Sequence, residues 1–279
     1  MKLSTVRLGR DLTSAARLQK KHCVLLPYPD VGTLIASGEG WQERAGAETG
    51  ERHRLEDVSY APLIVRPGKI VRLDPNYVAH ARELGWPLPA TSEFSVSYGG
   101  HVVVGADDDI CLPAEGRDVD RGVELGLVIG RRAREVTAET ALSHVAGYTV
   151  TNNITAWSHP DGILAPGPSA AVTTSTGPAL VTTDDVPMGG RGLTMTCLVD
   201  GQVKQKTNTS ELLFDVATVI AHVSTVVTLR PGDLITTGTP AGAGAGPEPD
   251  VVLRTRTEVV SSIKGVGELR NALVRSCSQ

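Results

Sequence analysis

Residues 228–242 read TLRPGDLITTGTPAG, and this stretch decides how the rest of the chain is parsed. Arg230-Pro231-Gly232-Asp233 is a stop signal, because proline removes a backbone donor and glycine admits a tight turn. Leu234-Ile235-Thr236-Thr237 is a short β-branched run with the composition of a strand. Gly238-Thr239-Pro240-Ala241-Gly242 then opens a glycine-rich loop that runs on to Gly246. The loop lacks a following helix pattern and a Lys-Ser/Thr pair, so it is not a P-loop. It can still offer backbone N–H groups to a carboxylate or an oxyanion.

Upstream of this stretch, Asn208 is placed to cap a helix, with Glu211 as the returning half of a capping box. Leu212, Leu213, Val216, Val219, Ile220, Val223 and Val227 follow as an apolar stripe at helical spacing. Between residues 96 and 200 the pattern is mostly strand, in HVVVG, VELGLVIG, GYTVTNNIT, ALVTT and LTMTCLV, with a short helix predicted over Thr137–Val145. Asp200-Gly201 marks a hairpin turn. EVVSSIKGVGELRNALV closes the chain as two strands about a glycine turn. KIVRL at 69–73 is a strand leading into DPNYVAHARELG, where Asp74 reads as N-cap, Pro75 as the first helical residue and Gly85 as the stop. Residues 1–66 form a small N-terminal α/β module, with strands in MKLSTVRL and HCVLLPY, a helix in DVGTLIASG, and a loop or weak helix in GEGWQERAGAETGERHR. Residues 67–279 form the main domain. Many strands and one long amphipathic helix predict an α+β, mainly β fold.

The composition narrows the function. The chain has 279 residues, 41% hydrophobic and 21% charged, which is ordinary for a globular protein. A net charge of −4 and 4% aromatic residues supply neither a basic footprint nor a stacking surface, so nucleic acid is not the expected partner. No apolar run is long enough for a membrane span and no secretory leader is visible, which predicts a cytoplasmic protein that acts on a small molecule. Cys23, Cys111, Cys197 and Cys277 are scattered without a CxxC pair, the spacing of neither a disulfide framework nor a zinc site.

Two places carry candidate chemistry. His80 and Glu83 are three apart, so they share a helix face. A carboxylate there orients the imidazole and raises its basicity, which suits proton abstraction; a solvated helix face would show the same spacing. Glu124 sits inside the apolar run VELGLVIG, where a carboxylate needs a partner or a cation. Asp118 and Asp120 fall at even offsets from it and share its face in a regular strand, an arrangement of oxygen ligands for Mg²⁺, Mn²⁺ or Ca²⁺ or simply an acidic turn. Ser158-His159 lacks a nucleophile elbow.

In order, KIVRLDPNYVAHARELG, VELGLVIGR, AGYTVTNNIT, GPALVTTDDV, DGQVKQKTNTSELLF, HVSTVVTLRPGDLITTGTPAG and GVGELRN resemble the fumarylacetoacetate hydrolase family across residues 69–271. The resemblance implies a mixed β-roll catalytic domain, a homodimer, and action on 1,3-dicarbonyl or 2-oxo acid compounds with Mg²⁺ or Mn²⁺. It also implies three acidic ligands, from a Glu-x-Glu strand motif and the Asp of a Gly-Tyr-Thr-x-x-Asn-Asp segment. Here those positions are Gly122, Glu124 and Asn153, so one carboxylate of the three is kept. The family's Arg falls on Trp157, one Lys falls near Pro168, and another near Tyr98. The His80–Glu83 dyad, Gln205 and Thr239 are retained. The pattern implies a less acidic ligand bound without metal, with Tyr98 and Trp157 as apolar surface and Asn153, Gln205, Gly238 and Thr239 as polar contacts.

The reading that follows is a family enzyme in which His80 and Glu83 move protons on an enolisable dicarbonyl-type or polyketide-like molecule, without metal. The outcome would be isomerisation, cyclisation, dehydration or C–C cleavage. One alternative is a Mg²⁺-dependent C–C hydrolase or decarboxylase of acylpyruvate or 2-oxo acid substrates, with Glu124 as ligand. The other is a non-catalytic binding protein.

Overall fold

The computed structural model describes residues 1–9, 12–47, 49–99, 102–112, 118–157, 171–244 and 256–274. Among these, two sheets carry the fold. The larger has twelve strands; ten follow one path, Arg52–Arg54, His22–Leu25, Thr13–Leu18, Lys2–Arg7, Ala171–Thr182, Val145–Trp157, Asp118–Ile129, Leu234–Thr236, Lys69–Leu73, Phe94–Tyr98, while Ser59–Tyr60 pairs with Lys2–Arg7 and Val102–Val104 with Ala171–Thr182. The smaller has five, in the order Gln202–Asn208, Thr194–Val199, Arg256–Ile263, Gly267–Val274, Ile110–Cys111. Most pairs are antiparallel, but Leu234–Thr236 runs parallel to Lys69–Leu73, so the large sheet is mixed. The class is α+β and mainly β, as expected.

Period-two alternation sorts the faces. Val123, Leu125, Leu127 and Ile129 enter the core shared with Met195, Cys197 and Val199 of the small sheet and with Val219, Ile220 and Val223 of the helix Val216–Val226. The other face changes character along its length. Ile70, Leu234 and Val128 are packed in the cluster that holds Leu3, Leu34 and Trp41. Two residues on, the same face presents Arg72 and Thr236, and beyond Gly126 it presents Glu124. The N-terminal residues thus cover one end of this face and leave polar groups at the other. Residues 1–66 do not stand apart, since Lys2 pairs with Val181 and Leu3 with Leu180.

The large sheet is rolled. Three strands separate Lys69–Leu73 from Ala171–Thr182. In a flat sheet those four spacings would span about 19 Å. Yet Arg72 Nη2 donates to Thr174 Oγ1 at 3.1 Å, so the two strands face each other across a concave surface.

Two helix starts differ from the sequence reading. The long helix begins after Asp215, whose carboxylate accepts from Thr218 N; Asn208 instead caps the single turn Thr209–Glu211. The cause is Asn76, whose backbone and side-chain oxygens take the N–H groups of Leu213 and Phe214 and keep that segment out of the helix. The helix Val78–Glu83 starts after Tyr77, with Asp74 and a cis Pro75 ahead of it; Gly85 takes φ +68° and ends it as expected. The glycine-rich stretch after residue 38 forms a helix, Trp41–Ala47, and then a strand, Arg52–Arg54. Cys111 is disulfide-bonded, contrary to the expectation from spacing, while Cys23 and Cys197 are free and buried.

Candidate active site

The opening stretch builds one wall. Asp233 accepts from Arg230 N, closing the turn, and pairs with the buried Lys69 ammonium. This fixes Leu234–Thr236 beside Lys69–Leu73 and aims the loop 238–242 over the concave face. Asn76, fully buried, donates to Thr237 O at 2.9 Å and to Phe214 O at 3.1 Å. It thereby ties the entry of the Val78–Glu83 helix to the same loop.

His80 and Glu83 meet as the spacing predicts. His80 is 3% exposed, and its Nδ1 lies 3.2 Å from Glu83 Oε2. Glu83 also accepts from Gly242 N, at 3.0 Å to Oε1 and 3.1 Å to Oε2. A Cβ at residue 242 would stand 2.3 Å from Lys204 O, so only glycine brings this N–H into place. The carboxylate is thus held from two sides and fixes the imidazole in turn. His80 Nε2 has Asp74 Oδ1 at 3.6 Å, longer than a hydrogen bond.

Glu124 marks the opposite pole. It is 5% exposed, and its Oε1 accepts from Asn153 Nδ2 at 2.6 Å while Oε2 accepts from Gly238 N at 2.7 Å. Burial pushes its carboxyl up to about 7, against the pull of Asn153, Gly238 and Thr236, with the Asp74 charge adding to the rise. Asn153 Nδ2 also reaches Thr236 Oγ1 at 3.1 Å, and Asn153 Oδ1 accepts from Thr174 Oγ1 at 2.7 Å. Gln205 straps the loop: its Nε2 donates to Thr239 Oγ1 and to Pro240 O, both at 2.9 Å, and its Oε1 accepts from Val123 N.

These groups do not fit a hard divalent ion. Such ions are held mainly by carboxylate charge. Both oxygens of Glu124 are already paired, and Asn153 turns its oxygen to Thr174. A Cβ at Gly122 would lie 2.7 Å from Thr239 Cβ and Oγ1, so an acidic side chain has no room there. Asp120 is four residues from Glu124 on one strand, about 13 Å of rise, and cannot share an ion with it. Asp118's side chain lies outside the described residues. Among the described residues no group of three or more His, Cys, Asp or Glu side chains is arranged to hold a metal ion.

Arg72, which the sequence reading passed over, places a cation on the same concave face, next to Thr174. Its Nη1 donates to Ser97 Oγ at 2.8 Å and its Nη2 to Thr174 Oγ1, while Nε is buried without a partner. Burial lowers its pKa and the Glu124 carboxylate raises it. The signal was present, because an arginine within KIVRL poses the same burial problem that singled out Glu124.

Other expectations change. Gly238 N and Gly242 N are committed to Glu124 and Glu83, so these two donors are not aimed at a substrate oxyanion. Tyr98 is 63% exposed, and alternation places it on the face opposite Ser97, which bonds Arg72. It does not join the cluster. Trp157 ends its strand opposite Asp118, and its side chain lies outside the described residues, as do Ser158, His159 and Pro168.

The chain belongs to the fumarylacetoacetate hydrolase family: the profile described as fumarylacetoacetate (FAA) hydrolase C-terminal matches residues 69–274. Among its relatives is a mitochondrial oxaloacetate tautomerase of Bos taurus, 37% identical over 222 residues that cover 78% of this chain and 70% of the relative. The solved 5-carboxymethyl-2-hydroxymuconate delta-isomerase from Mycobacterium smegmatis superposes with a TM-score of 0.78 at 27% identity, covering 99% of this chain and 100% of that one. A maleylpyruvate hydrolase from Sphingobium sp. SYK-6, solved with manganese(II) and pyruvate, gives a TM-score of 0.78 at 26% identity with the same coverage. These relatives are enzymes. No helix among the described residues is long and apolar enough to cross a membrane.

Proposed function

We propose that this protein is an enzyme that shifts a proton on a small enolisable oxo compound, in a tautomerisation or double-bond isomerisation that needs no metal ion. The observation that carries this reading is the His80–Glu83 pair locked by Gly242 N, with Asp74 Oδ1 3.6 Å from His80 Nε2. His80 Nε2 takes a proton from the carbon next to a carbonyl, and the electron pair moves onto the carbonyl oxygen. Glu83 holds the imidazolium that forms. Return of the proton to oxygen or to another carbon completes the shift and restores neutral His80. The tautomerase and isomerase relatives support a proton shift as the family chemistry. The absence of a fitting donor set around Glu124 supports metal independence.

The test is deuterium exchange into pyruvate and acetylpyruvate, followed by NMR in D₂O with EDTA present. The native protein is expected to exchange and His80→Gln to lose exchange while keeping its fold. Equal exchange by both, or exchange that needs added metal, would sink the reading. A manganese-dependent hydrolase is the second reading, favoured by the metal in the maleylpyruvate hydrolase, and the EDTA arm separates the two.

A further inference from the structure

We infer that the Arg72 guanidinium receives the oxyanion of the substrate and supplies the positive charge that the depleted ligand set around Glu124 cannot recruit as a metal ion. The inference rests on the proton-transfer reading above and names the partner of His80 in it.

Arg72 is built into the concave face. Its strand places it beside Thr236, and the roll of the sheet brings it to Thr174. Thr174 donates to Asn153, which donates to Glu124, so one line of contacts joins Arg72 to the buried acid. The guanidinium's hydrogen-bond partners Ser97 and Thr174 are neutral hydroxyls. Among the described residues no carboxylate lies within ion-pair distance of it.

This is a costly arrangement for a folded protein at rest. Arg72 as a whole is only partly buried, but a buried donor without a partner loses its water for nothing. Nε of Arg72 is such a donor. The guanidinium presents Nε–H and an Nη–H as a planar fork, which matches two oxygens in one plane. The carboxylate, or the adjacent enolate and carboxylate oxygens, of a 2-oxo acid offers that pair. A neutral ligand would leave the fork half used, so the site takes an anion, in contrast to the neutral compound expected from the lost family charges. No bond to Arg72 forms during the reaction. When His80 removes the proton, the electron pair gathers on oxygen, and the fixed guanidinium stabilises it until the proton returns.

Oxalate is the probe, because it is a planar dianion that cannot enolise. Binding is measured by titration calorimetry in EDTA for the native chain, Arg72→Met, Arg72→Lys and His80→Gln. The native chain is expected to bind, Arg72→Met to bind roughly ten- to a hundred-fold more weakly, and Arg72→Lys to fall between. Guanidinium ion added to Arg72→Ala should restore part of the loss. Undiminished binding by Arg72→Met, binding that appears only with added Mg²⁺ or Mn²⁺, or no binding in either condition would overturn the inference. Should the methionine variant lose its circular dichroism, Arg72→Lys carries the test, and native-like affinity there overturns the fork. His80→Gln should bind oxalate as the native chain does. If it also exchanges deuterium normally while binding still depends on Arg72, the proton-transfer reading fails and the oxyanion site stands.

Discussion

The two poles of this site are made in different ways. His80 and Glu83 come from one helical turn, three residues apart, and a single glycine N–H completes their geometry. Glu124, Asn153 and Thr174 come from three neighbouring strands, and Arg72 comes from a fourth that reaches Thr174 only because the sheet rolls. A locally encoded pair keeps its geometry as long as its helix forms. A pole assembled from many strands can lose one charge and regain another from a different strand, because only the location of the charge in space matters. On the proposed reading, the pair that handles protons matches the family while the charge opposite it, Arg72, has a different source.

The strongest way to break this contrast is His80→Gln. Turnover should fall by roughly 10²- to 10⁴-fold with an unchanged melting temperature. A fall in both together would mean that the pair is structural. Asn76→Ala comes next, since it strips partners from Phe214 N, Phe214 O and Thr237 O in the interior. A stability loss of roughly 3 kcal/mol is expected in urea titration. Loss of turnover without loss of stability would show Asn76 acting on the chemistry alone.

Glu124 sharpens the comparison through pH. Its folded-state pKa, about 7, lies above the ordinary 4.5, so between these values the folded protein binds more protons than the unfolded one. Its contribution therefore makes stability fall as pH rises from 4.5 to 7 and level off above, by roughly 3 kcal/mol at most. Glu124→Gln cannot ionise and should flatten that slope; an identical slope in the variant would show that other groups cause it. The smallest effect concerns Gly122. Gly122→Ala should cost about 1–2 kcal/mol, because its methyl group must displace Thr239. A neutral Gly122→Ala would reopen the position to the acidic residue the family carries there.

What could be read in the sequence follows the same division. The longer strands of the main domain, the turn at Arg230–Asp233 and the dyad are local patterns and lie where the spacing put them, whereas the strands Thr13–Leu18 and Arg52–Arg54 were not read. The helix after residue 208 did not start at its apparent cap, because Asn76, more than a hundred residues earlier, takes the donors of Leu213 and Phe214. Arg72 looked like one polar residue in an apolar strand. Its partner Thr174 is 102 positions away, and nothing in either neighbourhood announces the other. The loop glycines read correctly as donors to a carboxylate or oxyanion, but the recipients of Gly238 and Gly242 are the protein's own carboxylates.

That 102-residue separation also sets an order of events. Contacts so distant along the chain form late, since the entropy of closing the intervening segment is lost before the contact rewards it. The Val78–Glu83 turn can form early, so a half-folded chain holds its base but has not yet brought the guanidinium to Thr174. Chemistry then begins only when the roll closes. Under mild denaturant, activity should vanish ahead of helix content, and on refolding it should be the last property to return.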